Sequence, residues 1–205
     1  VASLRPWRLK GTYTWPRAAL QCTGLLYGPR LSGKAQCKNK GGARYDGELL
    51  NGQRHGFGHF TSPDGSIEYK GRFHQNEYAG DGELLLKTGA VSKRYKGQFR
   101  AGQLHGQGQM IKQSEKGTMT YKGEWVDGKY EGQGTLEFET GSSYTGNFES
   151  GVFEGQGEFH FKSGAVYKGQ FGGGKFNGQG VLTEKNGKVT RGEFKDGKPV
   201  QSDQP

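Results

Sequence analysis

Five histidines, two cysteines and one glycine–lysine run are the parts of this chain suited by type to do chemistry. A metal ion would need several of His55, His59, His74, His105 and His160 to converge within a few ångströms of it. His55 and His105 instead hold one phase of a periodic pattern, two periods apart, which in a ladder of strands puts them about 20 Å from each other. They are expected on a repeating surface. Residues 169–176, GQFGGGKF, approach the phosphate-binding loop G-x-x-x-x-G-K-[ST]. Phe176 takes the place of the hydroxyl residue, and no helical period follows to present an N-terminus. The same spacing returns at 123–129 and 192–198, so the match is a by-product of the pattern. Cys22 and Cys37 are too few for a disulfide-stapled fold and are expected to be reduced thiols at core positions. No Ser-His-Asp set or carboxylate pair stands apart from the pattern. The chain is therefore expected to be no enzyme, with no catalytic residue, cofactor or metal.

The pattern is what positions everything else. Tyr, any residue, Gly, any residue, then a bulky apolar occurs at 69–73, 95–99, 121–125, 144–148 and 167–171. It occurs with Leu49 in the last place at 45–49, and with Tyr replaced at 22–26 and 190–194. The central glycines, 24, 47, 71, 97, 123, 146, 169 and 192, are spaced by 23 to 26 residues. A turn residue, mostly glycine, follows at +5, and a G-x-G pair at +9 and +11. Apolar residues alternate with small or polar ones on both sides of the turn, which is strand periodicity. Asn51-Gly52, Asp127-Gly128 and Asp196-Gly197 are favoured in tight hairpin turns. Each repeat is thus predicted to be one β-hairpin. The expected fold is all-β, an elongated single-layer antiparallel meander of about seven hairpins, some 70 Å long.

The expected organisation is one array over residues 1–198. A half-repeat covers 9–21, repeats start near 22, 45, 69, 95, 121, 144 and 167, and a terminal half-repeat covers 190–198. A flexible tail is expected at 199–205. Val1 falls in mid-repeat, as it would in a fragment or a processed product.

Glycine makes up 39 of 205 residues, and Leu, Ile, Val and Phe together only about 18 %, a level at which disorder is suspected. Ten Tyr and twelve Phe argue the other way. Glycines opposite rings would let aromatics build the core that aliphatics cannot. The net charge of +9 is all in the first 44 residues, which hold Arg5, Arg8, Lys10, Arg17, Arg30, Lys34, Lys38, Lys40 and Arg44 and no acid. Such a patch suits anionic lipid or an acidic protein; nucleic acid is not favoured, because the aromatics beside it hold core phases.

Tyr121-Lys-Gly-Glu-Trp-Val-Asp-Gly-Lys-Tyr-Glu-Gly-Gln-Gly, with its copies over residues 9–198, resembles the MORN repeat (membrane occupation and recognition nexus). The resemblance implies a non-catalytic scaffold in the cytoplasm, at cytoskeletal, ciliary or flagellar, or cortical membrane assemblies. It also implies a second origin, a targeting module from a longer enzyme such as a lipid kinase or lysine methyltransferase. A helical or extended protein segment is expected along the face of Tyr95, Phe99, Tyr121, Trp125, Tyr144, Phe148, Tyr167 and Phe171. Tyr78, Leu104, Tyr130, Phe153 and Phe176, all seven residues after a central glycine, form either plugs over the turns or a docking stripe. The alternative function is membrane tethering through the basic N-terminal repeats. Partner identity and self-association stay open.

Overall fold

The computed structural model describes residues 8–15, 20–28 and 30–200. Every regular element among them is a β-strand, and the chain divides into two compact halves, residues 1–103 and 104–205. The N-terminal half contains β1 (Arg8–Trp15), β2 (Leu20–Tyr27), β3 (Ser32–Asn39), β4 (Arg44–Leu50), β5 (Gln53–Thr61), β6 (Ile67–His74), β7 (Glu77–Thr88) and β8 (Val91–Arg100). β9 (Gln103–Ser114), β10 (Gly117–Val126), β11 (Lys129–Phe138), β12 (Ser143–Glu149) and β13 (Val152–His160) open the C-terminal half. β14 (Val166–Gly172), β15 (Lys175–Thr183), β16 (Val189–Lys195) and the two-residue β17 (Lys198–Pro199) complete it. Within each half every strand pairs antiparallel with the next, so the all-β meander expected from the pattern is what forms. Of the expected tail, residues 201–205 lie outside the described residues.

One small residue per strand fixes the register. Gly11, Gly24, Ala35, Gly47, Gly58, Gly71, Gly82 and Gly97 face one another in a single row across β1 to β8. Gly108, Gly123, Gly134, Gly146, Gly157, Gly169, Gly180 and Gly192 form the equivalent row across β9 to β16. Rings lie on these rows. A methyl group added at Gly134 would come within 2.5 Å of the Tyr121 hydroxyl and 2.7 Å of its ring. Space for the ring is the reason for the glycine.

The ring's hydroxyl has a second task. Beside Gly123 the β10–β11 register slips, so that Gly123 faces Gly134 while Glu124 faces Glu131. Beside the slip, Tyr121 Oη donates to the Glu124 carbonyl at 2.8 Å. Tyr69, Tyr144 and Tyr167 do the same to Arg72, Asn147 and Gln170 at 2.8 to 2.9 Å.

The short turns are of the twisted type that requires positive φ twice, as at Asp127 (φ 48°) and Gly128 (φ 81°). Each turn is also tied to the repeat before it. The N–H at its second position donates to the carbonyl of the residue seven after the preceding central glycine: Gly102 to Tyr78, Gly151 to Tyr130, Gly174 to Phe153 and Gly197 to Phe176, at 2.9 to 3.1 Å. One backbone bond therefore couples neighbouring repeats and fixes the stripe position.

The expected free thiols are corrected. Cys22 and Cys37 face each other across β2 and β3 and form a disulfide. They occupy the facing phases that hold Tyr69 and Leu84, or Tyr121 and Leu136, in other repeats. The repeat register, not the number of cysteines, brings them together.

Candidate functional site

The eight residues expected to face a partner are core. Tyr95, Phe99, Tyr121, Trp125, Tyr144, Phe148, Tyr167 and Phe171 are all 0–4 % exposed. Stripe rings pack against all of them except Tyr95. Tyr78 stacks on Tyr69 at 3.8 Å, Tyr130 on Tyr121 at 3.8 Å, Phe153 on Tyr144 at 3.9 Å and Phe176 on Tyr167 at 3.8 Å, with planes within 13–17°. Phe148 and Phe171 meet the same stacks edge-on, Phe148 against Tyr130 at 5.7 Å and Phe171 against Phe153 at 6.0 Å. Such pairs add about 0.5–1.5 kcal/mol each beyond the area they bury.

The stripe residues thus do two things at once. Their inner faces complete the core, and they stay half-buried, so each keeps an outer face toward solvent. Leu104 is half-buried at the same phase, and its carbonyl accepts from the Gly128 N–H at 2.9 Å. Anchored at the backbone and stacked on a neighbour, these rings lose little further freedom when covered.

The opposite face is polar. Lys10, Leu25 and Lys34 form one cross-strand row on it, and Lys38 and Arg44 face each other nearby. All four cations are exposed, as are Arg30 and Lys40 at the neighbouring turns. Leu25 is 48 % and Tyr27 40 % exposed on the same face. Arg5 and Arg17 lie outside the described residues, and Arg8 is placed only as the first residue of β1.

Further along that face a groove of about 800 Å³ has Gly58, Gly71 and Gly82 in its floor and Phe57, Lys70 and Glu83 among its walls. Its lysines are paired, Lys96 with Glu83 at 2.7 Å and Lys70 with Glu68 at 2.8 Å, and His59 meets Glu68 at 3.0 Å. Phe57 was missed by sequence reasoning. It stands between the glycines of a G-x-G pair where Gln107, Gln133, Gln156 and Gln179 stand elsewhere, and that break in type was the available signal. It is 55 % exposed, with the Arg72 guanidinium 4.6 Å from its ring.

The chemistry-bearing residues fall where the repeat puts them. His55 lies beside His74 with ring centroids 5.2 Å apart, and His160 meets Glu158 at 2.6 Å. Among the described residues no group of three or more His, Cys, Asp or Glu could hold a metal ion. In GQFGGGKF, Gly169 belongs to the glycine row and Gly173-Gly174 make the β14–β15 turn. No helix follows; β15 does.

The MORN repeat model matches residues 45–67, 95–114, 121–143, 144–166 and 167–189, more than half of the chain. The chain belongs to the MORN-repeat family. MORN repeats are non-enzymatic protein- and membrane-interaction modules. The unmatched stretch 68–94 carries the same Tyr, Gly and Phe phases at Tyr69, Gly71 and Phe73, with three added residues that lengthen β7 and β8. No curated protein matches the chain.

Burial also sets how the MORN tyrosines titrate. It pushes Tyr45, Tyr95 and Tyr144 up to about 12, and raises Tyr69, Tyr121, Tyr130 and Tyr167 as well. The unfolded chain ionises near pH 10, so it releases these protons first. Their contribution to stability is whole below about pH 10 and is lost as pH rises through about 12. The ring resonances of Tyr69, Tyr121 and Tyr144 in nuclear magnetic resonance, followed with near-ultraviolet circular dichroism from pH 8 upward, are expected to change together with unfolding above about pH 10. Ionisation of these three rings near pH 10 with the fold intact would show that they are not buried in this way.

Proposed function

We propose that this MORN array is a non-catalytic scaffold that holds a protein segment along its stripe. The observation that carries the reading is the row Tyr130, Phe153 and Phe176, three half-exposed rings in consecutive hairpins, each stacked at 3.8–3.9 Å on a buried tyrosine. Two strands per hairpin set these rings about 10 Å apart. A helix advances about 10.5 Å in seven residues and polyproline II about 9.3 Å in three. Either segment keeps one contact per ring, whereas the two-residue period of a β-strand does not. On the family resemblance we propose a cytoskeletal, ciliary or cortical setting. The disulfide removes reduced thiols as a reason for an intracellular one.

The test is Tyr130→Leu with Phe153→Leu, which keeps apolar packing and removes both rings. Partner capture by proximity labelling or pull-down in the native cell is expected to fall at least about tenfold, with a melting shift of only a few degrees. Control substitutions Gln133→Ala and Gln156→Ala on the opposite face are expected to change neither. Capture that survives the first pair and fails with the second would overturn the reading.

A second reading is supported by the exposed cations Lys10, Lys34, Lys38 and Arg44 grouped with Leu25 and Tyr27 on one face. It is membrane tethering to anionic lipid. Sedimentation with phosphatidylserine vesicles is expected to show binding that weakens steeply with salt. Replacing the four cations with Gln is expected to weaken it at least tenfold, at about 1 kcal/mol per charge. Binding indifferent to those replacements would remove this reading.

A further inference from the structure

The stacking pattern is broken where the phase holds Leu31, Arg54 or Leu104 in place of a ring, and Arg54 is the charged one of the three. Tyr69, Tyr121, Tyr144 and Tyr167 each carry a ring stacked at 3.8–3.9 Å. In the repeat opened by Tyr45, the residue at that phase is Arg54. Its guanidinium lies 4.9 Å from the Phe60 ring centroid and 5.1 Å from that of Phe73, and its Nη2 donates to the Asn76 carbonyl at 2.9 Å. Tyr45 meets Phe73 edge-on at 5.2 Å and 87°, and among the described residues no ring stacks on it.

Space accompanies the missing ring. A cavity of about 340 Å³ is lined by Cys37, Tyr45, Leu49, Arg54 and Phe60, with Arg44 at its side. The cystine contributes to the opening, because Cys37 faces Tyr45 across β3 and β4 where a larger apolar side chain stands in other repeats. The volume is at the small end of ligand sites and suits one large side chain.

Charge narrows the occupant. Two arginines line the cavity and no carboxylate does. Arg54 is half-buried, burial lowers its affinity for the proton, and among the described residues no carboxylate pairs with its guanidinium. One of its five N–H groups is engaged by Asn76, which leaves donors for an anion.

We propose that this cavity is a specificity site for an aromatic side chain of the bound segment that is flanked by a carboxylate, with the ring on Tyr45 and the carboxylate on Arg54. The inference rests on the segment-binding reading and adds which residues the segment must bring. The bound ring supplies the stack that Tyr78 supplies to Tyr69, and the anion compensates the half-buried guanidinium.

The probe is the capped peptide acetyl-Gly-Phe-Asp-Gly-amide, titrated into the full chain while the ring resonances of Tyr45 and Phe60 are followed by nuclear magnetic resonance. Both are expected to shift, with millimolar or tighter affinity. Replacing the peptide's Asp with Asn, or its Phe with Ala, is expected to weaken binding at least about tenfold, or about 1.4 kcal/mol. Arg54→Gln is expected to erase the preference for Asp over Asn. Arg54→Tyr is expected to supply the missing ring from within, as Tyr78 does for Tyr69, and to abolish the shifts. No response at Tyr45, or equal affinity for the three peptides, would overturn the site. A chain that captures its partner through Tyr130 and Phe153 but gives no response at Tyr45 keeps the segment-binding reading and loses this site.

Discussion

A phenol ring lying flat on two facing glycines is the contact from which the rest of this protein follows. The ring needs both glycines, because a methyl group at either position would overlap it, as at Gly71 and Gly82 beneath Tyr69. The glycines need the ring, because a strand residue without a side chain buries nothing and costs backbone entropy. Register follows from this pairing, since a slip by one residue would put a side chain under a ring and turn the buried face outward. The bulge is tied to it too, because the hydroxyl of the same ring donates to the carbonyl beside the register shift. Aliphatic residues are scarce because the core is built of rings over backbone.

On the proposed reading, stability and recognition are joined on one face. The buried tyrosines stabilise each hairpin, and the stripe rings that cover them keep an outer side free. A partner that covers Tyr130 and Phe153 would extend packing that the fold has already begun. The other face carries exchangeable charge and no buried layer. Its differences from place to place, basic near Lys34 and neutralised near Lys96, can vary without disturbing the rings.

Much of this was legible because the repeat states the same sentence several times. Tyr121 to Gly134 alone would read as a hairpin; eight central glycines in phase establish the meander and the ring-on-glycine core. Positions that depart from the phase were harder. The cystine was misread because two cysteines were weighed as a count, although Cys22 and Cys37 share the 15-residue separation of Tyr69 and Leu84. The face of Tyr95 to Phe171 was assigned to a partner because strand alternation tells which side is apolar but not how deep a ring sits. Depth depends on what lies above it, and the residues above come from the neighbouring strand. Arg54 and Phe57 were visible as exceptions to their phases, but the cavity beside one and the exposure of the other required the packed structure.

The central claim is that the recurring phase of glycine exists to hold a ring, and a double-mutant cycle on Tyr121 and Gly134 tests it most directly. The three nearest neighbours of a methyl group at Gly134 all belong to Tyr121, at 2.5 to 2.8 Å. Gly134→Ala is expected to cost about 2 kcal/mol or more in urea unfolding of the otherwise native chain. In the Tyr121→Leu background the same substitution is expected to cost less than about 0.5 kcal/mol, a coupling of at least about 1.5 kcal/mol. Equal costs in the two backgrounds would mean that the glycine serves the backbone alone, and the account would fail.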